Sequence, residues 1–336
     1  MDLDLRNIVF ICKNAKSTNS NLDELFKSLS VVDNRPELMK ILMNFHTILE
    51  IKQYTQASSY GTLRDFGLIC AKLNTFGVTL NEFPKFIEIL ESQSILLDTV
   101  PRDTVFTYGP MNSTSKLRTF TQLNEEIVFI EAFTFGMWSL FNSIEKLIES
   151  YNLIQEDGHD FSIALLINQA KIKFEGMVDA IKQVHLKVPP QIFTRDLRPY
   201  FNPLTIGDQT YLAPGGAGMP VLILDQILWS NEYWSDFYLE YFKSNLQYLP
   251  NEFKIASKRF EDSPTIKQLL EGKDLPLSKL AFAEFCSSLL LFRGIHKKVA
   301  DANFKLRPDG SLGSGGHTPD DILQLLVNKT FELKSN

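Results

Sequence analysis

Histidine is scarce in this chain of 336 residues: His46, His159, His185, His296 and His317 are the whole set. One stands apart by its spacing. Phe285, Leu289, Phe292, His296 and Val299 recur at intervals of four and three, which puts them on one stripe of a helix. The imidazole therefore points the same way as the apolar side chains, and two readings follow. Either His296 is a core histidine satisfied by internal hydrogen bonds, or it faces a large apolar cofactor and ligates its metal through one nitrogen. His159 lies in the polar turn EDGHD, and His46 and His185 sit in amphipathic helices beside polar neighbours; these three read as structural.

Most other catalytic arrangements are missing from the sequence. No HExxH pair or EF-hand loop occurs, so a site with three or more protein ligands to a metal is not expected. There is no GxSxG elbow or Walker loop, and the glycine-rich runs PGGAG and GSGGH follow loops rather than strands, which argues against dinucleotide binding. Cys12, Cys70 and Cys286 are too far apart for a CxxC site and too few for a disulfide framework; they read as buried hydrophobes in a reducing compartment. If the protein is a metalloenzyme, the cofactor that fits best brings four of the metal's ligands itself and asks for one histidine.

Four segments, in order, carry a family resemblance over roughly residues 180–331. LLLFRGIHKKVADANF and then GSLGSGGHTPDDILQLLVNKT resemble the proximal-histidine helix and the glycine loop plus helix of the haem-dependent indoleamine and tryptophan 2,3-dioxygenase superfamily. Upstream, FTRDLRPYF and YLAPGGAGMPVLILDQIL resemble that superfamily's LRPY segment and glycine-rich stretch. The GSGG variant and the TFT–EE stretch at 119–126 look most like the monodechloroaminopyrrolnitrin synthase branch.

The resemblance implies a set of roles. His296 would be the axial ligand of the iron in haem b, and Arg293 would pair with a haem propionate. Asp225 would orient the proximal histidine, a plain surface aspartate being the other reading. Arg198 would hold a substrate carboxylate, or else be a helix-terminal arginine in a surface ion pair, and Phe193 would pack on the substrate ring. Gly215, Gly216, Ala217 and Gly218 would allow close backbone approach, and Ser314, Gly315 and Gly316 would form a mobile loop over the substrate. On the distal helix, Ile127, Glu131, Thr134 or Phe135 would face the iron, depending on register. The implied activity is oxygenation of tryptophan or a related aromatic amino acid, with O2 as co-substrate. The alternatives are a haem-dependent tailoring step of secondary metabolism, a non-catalytic haem protein, and a cofactor-free helical scaffold.

The elements that must position these residues are helical. Apolar residues recur at helical spacing over 22–30, 36–55, 61–75, 81–97, 124–152, 161–186, 220–246, 249–258, 263–271, 277–305 and 319–331, predicting an all-α protein with one short hairpin at most. The Thr- and Ser-rich stretch 99–121 divides a small N-terminal helical unit, 1–100, from a larger haem- and substrate-binding unit, 101–336. The proline-rich stretch 187–219 and the loop 306–319 are long enough to be functional. With 40 acidic against 34 basic residues the net charge is −6, which argues against nucleic acid or an anionic membrane as partner. No run of 18 apolar residues and no secretory leader is evident, so a cytoplasmic monomer or weak dimer acting on a small molecule is expected.

Overall fold

The computed structural model describes residues 5–16, 22–48, 55–112, 116–213, 219–229, 235–307, 312–313 and 315–335. Fifteen helices follow one another among these residues. They are α1 (Leu5–Asn14), α2 (Leu22–Leu29), α3 (Arg35–Ile48), α4 (Gln56–Thr75), α5 (Pro84–Leu97), the short α6 (Val105–Tyr108), α7 (Asn124–Gln155) and α8 (Asp160–Lys187). After the single turn α9 (Pro190–Ile192) come α10 (Val221–Leu228), α11 (Asp236–Leu246), α12 (Asn251–Phe260), α13 (Ile266–Glu271), α14 (Pro276–Phe304) and α15 (Pro319–Ser335). One hairpin, β1 (Leu204–Ile206) and β2 (Gln209–Tyr211), pairs Leu204 with Tyr211 and turns at Gly207, whose φ of +58° suits glycine. The protein is all-α, as the spacing predicts.

Three long helices form the frame. α8 lies between α7 and α14, and α15 covers α14 beyond it. The α7–α8 approach depends on glycine: a Cβ on Gly136 would come within 2.9 Å of Ala180, and one on Gly176 within 2.1 Å of the Ser139 hydroxyl. The first turn of α8 also fixes the start of α14. The Asp160 carboxylate accepts from the backbone N–H of Leu277 at 2.9 Å and of Ser278 at 2.8 Å, satisfying two donors that the helix leaves open. By length and apolarity α7 meets the requirement for crossing a membrane, but here its apolar residues pack on α8, α10 and α13.

α4 is enclosed on all sides, buried from Ala57 to Leu73 although it carries Arg64, Asp65 and Lys72. Arg64 and Asp65 are matched internally, and Lys72 donates to the Phe120 carbonyl at 3.2 Å. Asp65 accepts from Arg64 at 2.7 Å and from Arg118 at 3.3 Å, and Arg64 also donates to the carbonyls of Ala15 and Met111. The break at 99–121 is real but not an open tether, because residues 100–112 are buried. Arg102, fully buried, pairs with Asp103 and reaches the carbonyls of Asn202 and Tyr211 at 3.2 Å each, tying this stretch to the hairpin.

Several boundaries differ from the sequence expectation. Residues 5–14, ahead of the first helix expected from spacing, form α1, and the span expected as one helix over 220–246 is two. α10 ends at Trp229, which is extended (φ −114°, ψ 152°), and Ser235 starts α11 by accepting from the N–H of Tyr238. A side-chain cap of that kind competes with helix continuation even where apolar spacing persists.

Glu126 organises the entry to α7. Its carboxylate accepts from the N–H of Phe120 and of Thr121, from the Thr121 hydroxyl, all at 2.7 Å, and from the Tyr108 hydroxyl at 3.0 Å. Replacing it by leucine strands these buried donors. Glu126→Leu is therefore expected to lower stability by about 3 kcal/mol or more, read from the urea midpoint at constant slope; a loss below about 1 kcal/mol would show that water reaches them.

Candidate functional site

A cavity of about 280 Å³ opens between α7, α8, α14, α15 and residues 190–201. Its walls are mostly apolar. His296 lies on α14 beyond Phe285, Leu289 and Phe292, which are buried, and its ring centroid is 5.8 Å from that of Phe292. The imidazole borders the cavity and, among the described residues, neither ring nitrogen has a hydrogen-bond partner. Burial, then the nearby Arg293 cation, pushes its pKa down to about 4, so the ring is neutral near pH 7 with a lone pair available to a metal. Of the two sequence readings, the satisfied core histidine does not describe this residue.

Arg293 and Asp225 are placed on each other. Arg293, one turn before His296, is buried and donates to Asp225 Oδ1, to Thr330 Oγ1 and to the Leu326 carbonyl, and its guanidinium lies 5.3 Å from the Trp229 ring centre. The second oxygen of Asp225 accepts from the Tyr238 hydroxyl at 2.9 Å. Burial raises the Asp225 pKa, and the Arg293 charge and these two hydrogen bonds oppose the rise. Asp225 is thus no surface aspartate, and it hydrogen-bonds Arg293 and Tyr238 rather than His296. Two opposite charges taken out of water meet because neither is tolerable alone.

Arg198 is also buried, in a segment where a π-helical turn over Phe193–Leu197 passes into a 3-10 turn over Arg198–Phe201. It donates to the Phe201 carbonyl at 2.5 Å, to Asn202 Oδ1 at 2.7 Å and to the Leu312 carbonyl at 3.0 Å, so a surface ion pair is not its role. Phe193 lines the cavity and packs on Phe129 and Phe201, with ring centroids 5.6 and 6.2 Å away. Gly315 lines it as well. Gly316 has a φ of +80°, and a Cβ there would lie 3.2 Å from Leu212, so the position needs glycine. Gly215, Gly216, Ala217, Gly218 and Ser314 lie outside the described residues.

The distal wall uses a different register of α7 from the one expected. Phe129, Phe133, Gly136 and Met137 line the cavity, whereas Ile127, Glu131 and Phe135 are exposed and Thr134 does not border it. The spacing of four, three and one is the helical stripe that the sequence itself carries. Tyr108, Asn303, Arg307 and His317 also line the cavity, as does His185, which its amphipathic setting had marked as structural; none of them has a local sequence motif that marks it as a site residue. No aspartate or glutamate among the described residues lines it, so its polar groups favour an anion.

The donor set has one clear fit. Among the described residues no group of three or more His, Cys, Asp or Glu could hold a bare metal ion. Of the three histidines on the cavity, His296 is the one held neutral by burial on the stripe of Phe285, Leu289 and Phe292, and a single such imidazole suits haem, whose porphyrin would supply four of the iron's ligands itself. Fold and site together define a haem-dependent oxygenase of the tryptophan dioxygenase superfamily. Within it, the chain belongs to the monodechloroaminopyrrolnitrin synthase PrnB family, whose model matches residues 54–291. The matched span holds the α7 and α8 walls, Phe193 and Arg198; it ends before Arg293 and His296, whose placement rests on the cavity itself.

The depressed basicity of His296 has a testable consequence without cofactor. Because the folded pKa lies below the unfolded value of about 6.5, the unfolded chain binds the extra proton, so this residue costs stability as pH falls from about 6.5 towards 4. Apoprotein should lose about 2 kcal/mol more between pH 7 and pH 5 than His296→Leu does, measured by denaturant unfolding. Parallel pH profiles would show that the imidazole protonates freely in the fold.

Proposed function

We propose that the protein is a haem b-dependent oxygenase of secondary metabolism that acts on tryptophan or a tryptophan-derived aromatic amino acid, with O2 as co-substrate. The observation that carries this reading is His296: a neutral, unpartnered imidazole on an apolar cavity that also receives a buried arginine. When bound, haem supplies a ferrous centre with an open position for O2. Every other task falls to the chain.

His296 holds the cofactor through one nitrogen, and burial, then the positive charge of Arg293, keeps that imidazole neutral. Arg198 takes the substrate carboxylate, keeping the Phe201 carbonyl and Asn202 and exchanging the Leu312 carbonyl for the ligand. Phe193, Phe129 and Phe133 pack against the aromatic ring and fix its plane. Gly315, which lines the cavity, leaves room for the amino-acid end of the substrate. Apolar walls exclude water, and positioning rather than a strong acid or base brings the ring to the oxygen. Membership of the PrnB family favours a tailoring oxygenation over simple dioxygenation of tryptophan.

Two measurements test this. Protein reconstituted with haem should show the absorption of a histidine-ligated haem, and His296→Ala should lose or shift it; an unchanged spectrum refutes the ligand assignment. Arg198→Ala should weaken L-tryptophan binding by about 10- to 100-fold with haem retention unchanged, the worth of a charge-assisted hydrogen bond. Equal loss of both would make the arginine structural.

A further inference from the structure

We propose that Asn303 is the acceptor for the substrate's α-ammonium group, an inference that rests on Arg198 taking the carboxylate. Asn303 lies seven residues beyond His296 on α14, two turns along the same helix face, and lines the same cavity. The residue is 91% buried, and its amide oxygen is buried with no hydrogen-bond partner among the described residues. Of the residues lining the cavity, it is the one with a buried, unsatisfied side-chain acceptor, again among those described. Buried polar atoms are nearly always paired, so an orphan at a ligand cavity points to a donor on the ligand.

The surroundings indicate which donor. The Asn303 backbone carbonyl accepts from the Thr194 hydroxyl at 3.5 Å, which sets this turn of α14 against the segment that leads into Arg198. Next to it, the Phe304 ring carries the Arg307 guanidinium at 4.2 Å, and Arg307 and Arg198 reach the same Leu312 carbonyl, at 2.8 and 3.0 Å. Asn303 therefore borders the corner where the carboxylate is read. In an α-amino acid the ammonium nitrogen is two bonds from the carboxylate carbon, so both groups must fit in that corner. No carboxylate lines the cavity among the described residues to receive the ammonium, and an amide oxygen can accept from it without adding a charge beside the bound carboxylate. Turning the amide over would present N–H instead; an ammonium, having donors only, selects the oxygen.

The test compares L-tryptophan with indole-3-propionate, which keeps the ring and carboxylate and lacks the amine. Each is titrated into haem-loaded protein, followed by the haem absorption and by calorimetry. Asn303→Leu should weaken L-tryptophan binding about tenfold or more and leave indole-3-propionate within about twofold. Asn303→Asp, which keeps the shape, should retain L-tryptophan and lose indole-3-propionate, because its carboxylate attracts an ammonium and repels an unbalanced carboxylate; it also carries the test if the leucine variant does not fold. Equal weakening of both ligands in either folded variant, or no change in either, overturns the inference while leaving the Arg198 reading intact. Wild-type protein that takes up haem and binds neither compound refutes the substrate reading itself, and this inference with it.

Discussion

The buried ion pair between Arg293 and Asp225 is the interaction on which the site depends. It joins α14 to α10, and through Tyr238 and Thr330 it gathers α11 and α15 to the same point. Neither charge could be buried alone at an acceptable cost, so the four helices must meet there. The same cation lies one turn from His296 and, with burial, holds that imidazole neutral. A packing constraint and a chemical one thus meet at a single side chain: the arginine that closes the back of the cavity adds to the burial that keeps the His296 imidazole unprotonated.

The opposite wall is built on a different principle. Glu126 collects the loose end of the 99–121 stretch onto the first turn of α7, and Tyr108, which donates to it, lines the cavity. From there α7 presents Phe129 and Phe133 to the cavity and Gly136 to α8. Behind this arrangement stand the buried pairs Arg64–Asp65, Arg118–Asp65 and Arg102–Asp103, and Lys72, which donates to the Phe120 carbonyl, so the distal wall rests on buried polar contacts as well as apolar ones. The walls on either side come from α7 and α14, which α8 joins, and the cavity lies between them.

The polarity of the cavity follows from what is absent from its lining as much as from what is there. Arginines enter it from the 198–201 turn and from the end of α14, and no described carboxylate does. An anionic group is favoured at that end, and a cationic one has only neutral acceptors to meet. That asymmetry distinguishes a carboxylate-bearing aromatic from a plain indole by electrostatics, before shape is considered.

Helical periodicity in the sequence was enough to establish the all-α class, most helix positions and the fact that His296 shares a stripe with Phe285, Leu289 and Phe292. Such periodicity reports which residues share a face, because it is a local property of the chain. It does not report what that face meets. Ile127, Glu131, Thr134 and Phe135 were the residues expected on the distal face, and Phe129 and Phe133 emerged there only once α8 and the 193–201 turn were in place; the pairing of Arg293 with Asp225 likewise joins residues 68 positions apart. The tertiary structure decided those contacts, together with the burial of 100–112 and the orphaned amide of Asn303. The reason is that desolvation, unlike helix formation, depends on neighbours distant in the chain, and only their arrival settles which polar atoms find partners and which are left for a ligand.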